Sequence, residues 1–161
     1  MRRRPILWMT LFVTLGACGK GGATAPADPT SAATLRSAPT SIVAGGATLR
    51  LATELWRDFM PISPPDGKPM IAVAKVTTSN GSPVPTSVRA TGIFIVLDDA
   101  VWSTSAREER PRSETAPVYE VVGRDGPKWG PGVSVDVILR ITDGARVSFL
   151  RAANQAISAT W

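Results

Sequence analysis

Few residues in this 161-residue chain could do covalent chemistry: there is one cysteine, Cys18, and there is no histidine. Without histidine, Ser-His-Asp and Cys-His hydrolysis are excluded and the commonest transition-metal ligand is missing. A single thiol cannot build a Cys-rich zinc site. No GxxxxGK[ST] or GxGxxG pattern follows a strand-like run, which removes those nucleotide cradles. What remains is carboxylate chemistry or a serine activated by lysine. Two carboxylates hydrolyse a glycosidic bond when they face each other across a cleft. Asp98 and Asp99 are adjacent, however, so on a strand they would point to opposite faces, and their type fits a turn. A Ser-Lys pair needs a buried lysine with a lowered pKa, whereas Lys68, Lys75 and Lys128 all sit in polar or turn contexts. The reading is therefore no catalytic residue, no metal and no cofactor, with a carboxylate-dependent glycan hydrolase kept as an alternative.

Three stretches could bind instead. Gly123-Arg124-Asp125-Gly126-Pro127-Lys128-Trp129-Gly130-Pro131-Gly132 holds an indole on a path stiffened by glycine and proline. Such a ring either stacks on a sugar or docks a partner, or it folds back to cap the core, because a tryptophan has so much area to bury. Trp129 and Lys128, with Arg124 and Asp125 beside them, are the candidate binding residues. The proline-dense run Met60 to Pro69 stiffens a long loop. Arg107-Glu108-Glu109-Arg110-Pro111-Arg112-Ser113-Glu114 reads as a solvated loop between strands, and a protease inhibitor acting through 107–114 is the second alternative.

The elements that must position these stretches are strands. Val133, Val135, Val137, Leu139 and Ile141 alternate with Ser134, Asp136, Arg140 and Thr142, and Leu49, Leu51, Leu55 and Phe59 alternate with Arg50, Glu54 and Asp58. Period two puts one face in and the other out. The run 49–59 would also tolerate a helical turn. Further strands are expected over 70–78, 88–97, 101–105, 118–124, 146–152 and a short piece at 156–160. Turn signals separate them at Pro64-Pro65-Asp66-Gly67, Asn80-Gly81, Asp98-Asp99, the 126–132 loop and Asp143-Gly144. The last predicts a tight antiparallel hairpin between 133–142 and 145–152. The expected class is all-β, an antiparallel immunoglobulin-like sandwich of about seven strands over residues 47–161, without the Cys and Trp pattern of true immunoglobulin domains.

The chain upstream of 47 has a different character. Of the 28 residues from Gly19 to Gly46, 22 are Gly, Ala, Pro, Ser or Thr, too little apolar material to bury, so residues 18–46 read as a flexible linker. Before that, Arg2, Arg3 and Arg4 precede an uncharged apolar run from Ile6 to Leu15. This is a basic start and an apolar core, about a dozen residues long where a spanning helix needs roughly twenty. The stretch Leu15-Gly16-Ala17-Cys18 that follows resembles the lipobox of bacterial lipoproteins. That resemblance covers about twenty residues and implies cleavage after Ala17, acyl chains on Cys18 and attachment to a membrane through them. Several chains are needed for durable anchoring, since one holds only marginally. The resemblance also implies that Cys18 is spent on lipid, leaving the domain no disulfide in an oxidising compartment. It must therefore hold by its core, which a little over a hundred residues can supply. In enterobacterial lipoproteins an aspartate after the cysteine favours the inner membrane; here the residue is Gly19, so the outer membrane is expected. Loss of residues 1–17 removes three arginines and no acid, lowering the net charge from +5 to +2. With no basic stripe, nucleic-acid binding loses its electrostatic basis. The functional expectation is a lipid-anchored envelope lipoprotein whose domain binds a protein or an envelope glycan.

Overall fold

The structure, a computed structural model, describes residues 31–161. The signal sequence and Cys18 lie outside the described residues. The elements are α1 (Ala32–Arg36), β1 (Ser41–Ala44), β2 (Ala47–Asp58), β3 (Met70–Thr78), β4 (Val88–Leu97), β5 (Ala100–Ser105), β6 (Val118–Gly126), β7 (Ser134–Asp143) and β8 (Arg146–Thr160). The class is all-β. The run 49–59, open to a helical turn by its pattern, lies in strand β2 down to Asp58.

The strands form one curled sheet in the order β5-β4-β7-β8-β2-β3-β6, with β1 on β2. Its two ends meet: just past β5, Arg107 exchanges backbone hydrogen bonds with Val122 of β6, at 3.1 and 2.8 Å. Closure is tight at Gly123, where a Cβ would stand 2.9 Å from Thr104 Cγ2 and 3.1 Å from Ile93 Cδ1. Only a residue without a side chain lets the edges come this close.

This topology departs from a purely antiparallel immunoglobulin-like sandwich at β8. The segments 146–152 and 156–160, expected as two strands, are one. β8 pairs antiparallel with β7 as the Asp143-Gly144 turn predicts, then bulges opposite Asp136, where Asn154 takes φ +55°. The bulge turns the strand, and from Ile157 to Thr160 it runs parallel to Leu55–Asp58 of β2. A single strand thus carries the sheet round the corner.

The interior is filled by the inward residues that period two selects: Leu49, Leu55, Val76, Ile93, Ile95, Val121, Val137, Leu139, Ile141 and Leu150. Phe94, Val96 and Ile138 occupy the opposite face of the same strands, and they too are buried, under Ala32 and Leu35 of α1 and Ala38 just after it. This second layer explains why 93–96 reads as a continuous apolar run: both faces are covered.

Residues 31–46, expected as part of a flexible linker over 18–46, instead carry α1 and β1 and belong to the folded domain. Small residues suit α1 because they let a short helix lie close against a sheet. Ser31 caps it, its Oγ accepting from the Thr34 N–H at 3.2 Å. Gly45 and Gly46, with φ +58° and +76°, make the two-residue turn joining β1 to β2, a conformation that favours Gly-Gly. Leu35, 1% exposed, tests this assignment. Leu35→Ala should cost about 2–5 kcal/mol in chemical denaturation, as for a buried leucine, whereas a linker residue would cost nothing measurable.

Candidate functional site

Arg57 follows the inward phase of Leu49, Leu51 and Leu55 along β2, so its guanidinium enters the end of the barrel, 4% exposed. Among the described residues no carboxylate forms an ion pair with it there, although the Asp66 carboxyl feels its charge. Its Nε donates to Lys68 O at 3.0 Å, its Nη1 to Lys128 O at 2.9 Å and Gly130 O at 2.6 Å, and its Nη2 to Asp66 O. The guanidinium carbon also sits 4.9 Å from the centroid of Phe59, within cation–π range. A guanidinium has five donors in a fixed plane and no acceptor, which suits it to gathering carbonyls. Here it gathers them from the proline-dense loop 59–69 and the tryptophan loop 127–132.

Two of the stretches singled out by sequence thus become one surface. Lys128 Nζ reinforces the junction at 2.6 Å from Asp66 Oδ2, and Lys68 Nζ lies 2.7 Å from Asp58 Oδ2. Trp129, between the two carbonyls that Arg57 holds, is half-buried and packs against the main core. The outer part of the platform is apolar: Ile62 is 91% and Met60 44% exposed, and Trp161, 79% exposed, stacks on Phe59 with ring centroids 5.1 Å apart. Sequence reading took Met60–Pro69 for a stiffened connection and missed its outward apolar residues; Ile62 set among prolines was the available signal.

Arg124 and Asp125 take another place. Arg124 donates from Nε and Nη2 to both carboxylate oxygens of Glu109, at 2.6 and 2.8 Å, and this contact raises its pKa while lowering that of Glu109. Asp125 is exposed with φ +61°. The 107–114 segment is correspondingly fastened down. Arg107 bridges to β6, Glu109 holds Arg124, and the Arg112 guanidinium lies 3.8 Å over the Tyr119 ring. Arg112 Nη2 also donates to the carbonyls of Val88 and Pro85, and desolvation there pushes its pKa down. Arg110 and Pro111 remain exposed.

The carboxylates and lysines weighed for catalysis are placed as follows. Asp98, at φ +49°, and Asp99 form the two-residue β4–β5 turn. Clefts of about 650, 480 and 320 Å³ have no Asp or Glu in their walls. Lys75 is held 2.6 Å from Glu54, and that hydrogen bond raises its pKa, the opposite of what a lysine base needs. Among the described residues no group of three or more His, Cys, Asp or Glu could hold a metal ion.

Comparison with known proteins gives no match: neither a family model, nor a curated protein, nor a solved structure resembles the chain to a significant degree.

Replacing Arg57 by methionine keeps its bulk but leaves its carbonyl partners without a donor. With an unsatisfied buried group costing about 1–3 kcal/mol, the variant should lose roughly 3 kcal/mol or more. Trp129 emission should shift to the red while the core strands keep their hydrogen-exchange protection.

The platform is also acid-sensitive. The hydrogen bond from Lys128 holds the Asp66 carboxyl below its ordinary value of 3.8, and that from Lys68 does the same for Asp58. A depressed carboxylate contributes stability above its unfolded pKa and loses it as pH falls through the folded one. Melting temperature should hold above the ordinary aspartate value and fall below it, and Asp66→Asn should flatten that slope.

Proposed function

We propose that the protein is a lipid-anchored lipoprotein of the bacterial cell envelope, attached through Cys18, whose β domain binds a partner without catalysing a reaction. The observation that carries the binding role is the Arg57-fixed platform. It constrains the loop that carries Met60 and Ile62 outward, and Trp161, just past β8, stacks on Phe59 of the same loop, so that little order is lost on association. Exposed apolar side chains gathered in one patch and ringed by charge mark interaction surfaces, and aromatic residues with methionine are the types enriched in such interfaces. Lys128 and Asp66 provide a polar rim, and Trp129, between the carbonyls that Arg57 holds, packs against the core. The partner favoured by this apolar composition is a protein; an envelope glycan stacked on Trp161 is the other form of the same reading. Arg124 and Asp125, engaged with or near the 107–114 segment, contribute only if the partner reaches past Gly126.

The anchor reading rests on the residues before the fold: the basic start, the apolar run and the box ending at Cys18. The chain from Cys18 to Thr30 can reach at most about 45 Å when fully extended, so an anchored domain stays near its membrane and samples a thin layer of the envelope. The outer membrane is the proposed location, on Gly19 following Cys18.

Labelled palmitate should enter the wild-type protein and not Cys18→Ala; incorporation that survives the substitution overturns the anchor. A photo-crosslinker at position 62 in cells should capture a species, identified by mass spectrometry, that is lost in a Trp161→Ser background. Capture no greater than from a crosslinker at Asn80, in the β3 turn, overturns the platform as a binding surface.

A further inference from the structure

The corner that β8 turns leaves an opening in the wall of the barrel. β1 covers the edge of β2 only as far as Arg50, where it pairs with Ser41. β8 takes up that edge only from Leu55, opposite Ile157. Between them, from Leu51 to Glu54, β2 is paired on its β3 side alone, and one bridging side-chain contact, Thr53 Oγ1 to Gln155 Oε1 at 2.7 Å, spans the gap. The cleft formed there has a volume of about 480 Å³, and its walls include Thr40, Ser41, Arg50, Arg151 and Gln155.

Arg50 and Arg151 line this one cleft, and among the described residues neither side chain has a hydrogen-bonding or ion-pair partner. The Arg151 Nε is moreover buried without a protein acceptor, a costly condition that an incoming acceptor would relieve. The adjacent carboxylates do not neutralise the pair. Glu54 is held by Lys75 at 2.6 Å, and Asp136, which accepts from the Asn154 N–H at 3.3 Å, is held by Arg36 at 2.9 Å. The cleft therefore combines two uncompensated guanidinium groups, two hydroxyls and a side-chain amide, with no acid in its wall.

We propose that this notch is an anion site for a phosphate ester of a small polyol. Guanidinium forks match phosphate oxygens in pairs, while the hydroxyls of Thr40 and Ser41 are suited to the hydroxyl groups of the esterified polyol, and Gln155, its Nε2 donating to Ala153 O and its Oε1 accepting from Thr53, keeps one N–H to offer. Its volume lies within the range of ligand pockets, about 300–1,000 Å³, larger than a bare phosphate needs. The site is separate from the Arg57 platform and does not depend on the anchor. Two sources could supply such a group, a phosphorylated sugar of an envelope glycan and the glycerol phosphate of a lipid headgroup.

The test is calorimetric titration of the purified full-length protein in detergent, at low ionic strength, with glucosamine 6-phosphate, glycerol 3-phosphate and inorganic phosphate. Saturable binding of at least one of the two esters is expected, weakening as salt is added, and the tighter ester identifies the source. Arg50 is exposed, so Arg50→Ala should keep the wild-type melting temperature while weakening binding by about tenfold or more, as loss of a charge-assisted pair implies. Arg151→Ala should do the same, and Arg146→Ala, in a different cleft, should bind as wild type. Four results overturn the proposal: no saturable binding of either ester, binding unaffected by Arg50→Ala, an equal loss in Arg146→Ala, or inorganic phosphate bound as tightly as the esters, which means an adventitious ion only.

Discussion

The guanidinium of Arg57 is the interaction on which the end of this molecule depends. Burying a cation without a counter-charge is ordinarily prohibitive, and a charged group removed from water must recover its hydration from something fixed. Here the recovery comes from carbonyls of Asp66, Lys68, Lys128 and Gly130. Those carbonyls belong to two connections with no strand partners of their own at these points, so the cation needs the loops as much as the loops need the cation. The same end of β2 is tied to β8, with Phe59 N donating to Thr160 O at 2.8 Å and Ser158 Oγ to Leu55 O at 3.0 Å. The platform, the parallel strand pair and the buried arginine therefore form one cooperative unit.

That unit exists only because β8 can leave β7. A strand held to one partner throughout would leave β2 with an open edge at residues 55–58, the kind of edge that invites pairing with another chain. The bulge at Asn154 covers this edge at one end, and the price is the uncovered stretch from Leu51 to Glu54. The β2–β8 seam and the basic notch are thus two consequences of one bulge: the strand that covers β2 from Leu55 to Asp58 stands away from it at Leu51 to Glu54.

Much of this fold was legible in the sequence where structure follows local pattern. Period two located the strands from Met70 to Asp143 nearly to the residue, and Asp143-Gly144 gave the β7–β8 hairpin its pairing. The failures have physical reasons. Residues 31–46 looked like tether because Gly, Ala, Pro, Ser and Thr usually cannot bury enough surface, yet a five-residue helix lying on an already apolar sheet face needs only Leu35 and a few alanines. The signals were present in Gly45-Gly46, set between Ile42-Val43-Ala44 and Ala47-Thr48, and in the uninterrupted Ile93-Phe94-Ile95-Val96, whose second face required a cover. Arg57 was likewise announced by phase, being odd-numbered like Leu49, Leu51 and Leu55. The fusion of 146–152 with 156–160, and the parallel partner beyond, depended on contacts a hundred residues apart, which no local pattern encodes. Trp129 and Lys128 were singled out by type and lie at the Arg57 junction, whereas Met60, Ile62 and Trp161, exposed beside the same junction, carried no pattern that singled them out.

Arginine does work in this fold that cysteine commonly does in domains of similar size. Among the described residues there is no cysteine, and the long connections are held by guanidinium groups instead: Arg57 fastens 59–69 to 127–132, and Arg112 fastens 107–117 to β4 and β6 through Tyr119 and the carbonyls of Pro85 and Val88. A disulfide joins a loop at one point and acts mainly by restricting the unfolded chain. A guanidinium reaches several carbonyls from one side chain and acts entirely in the folded state, so it also fixes the local path of the backbone. Loops held in this way keep their shape under reducing and oxidising conditions alike. They yield only when the donor itself is lost or the surrounding core opens, which ties the integrity of the exposed platform directly to that of the barrel beneath it.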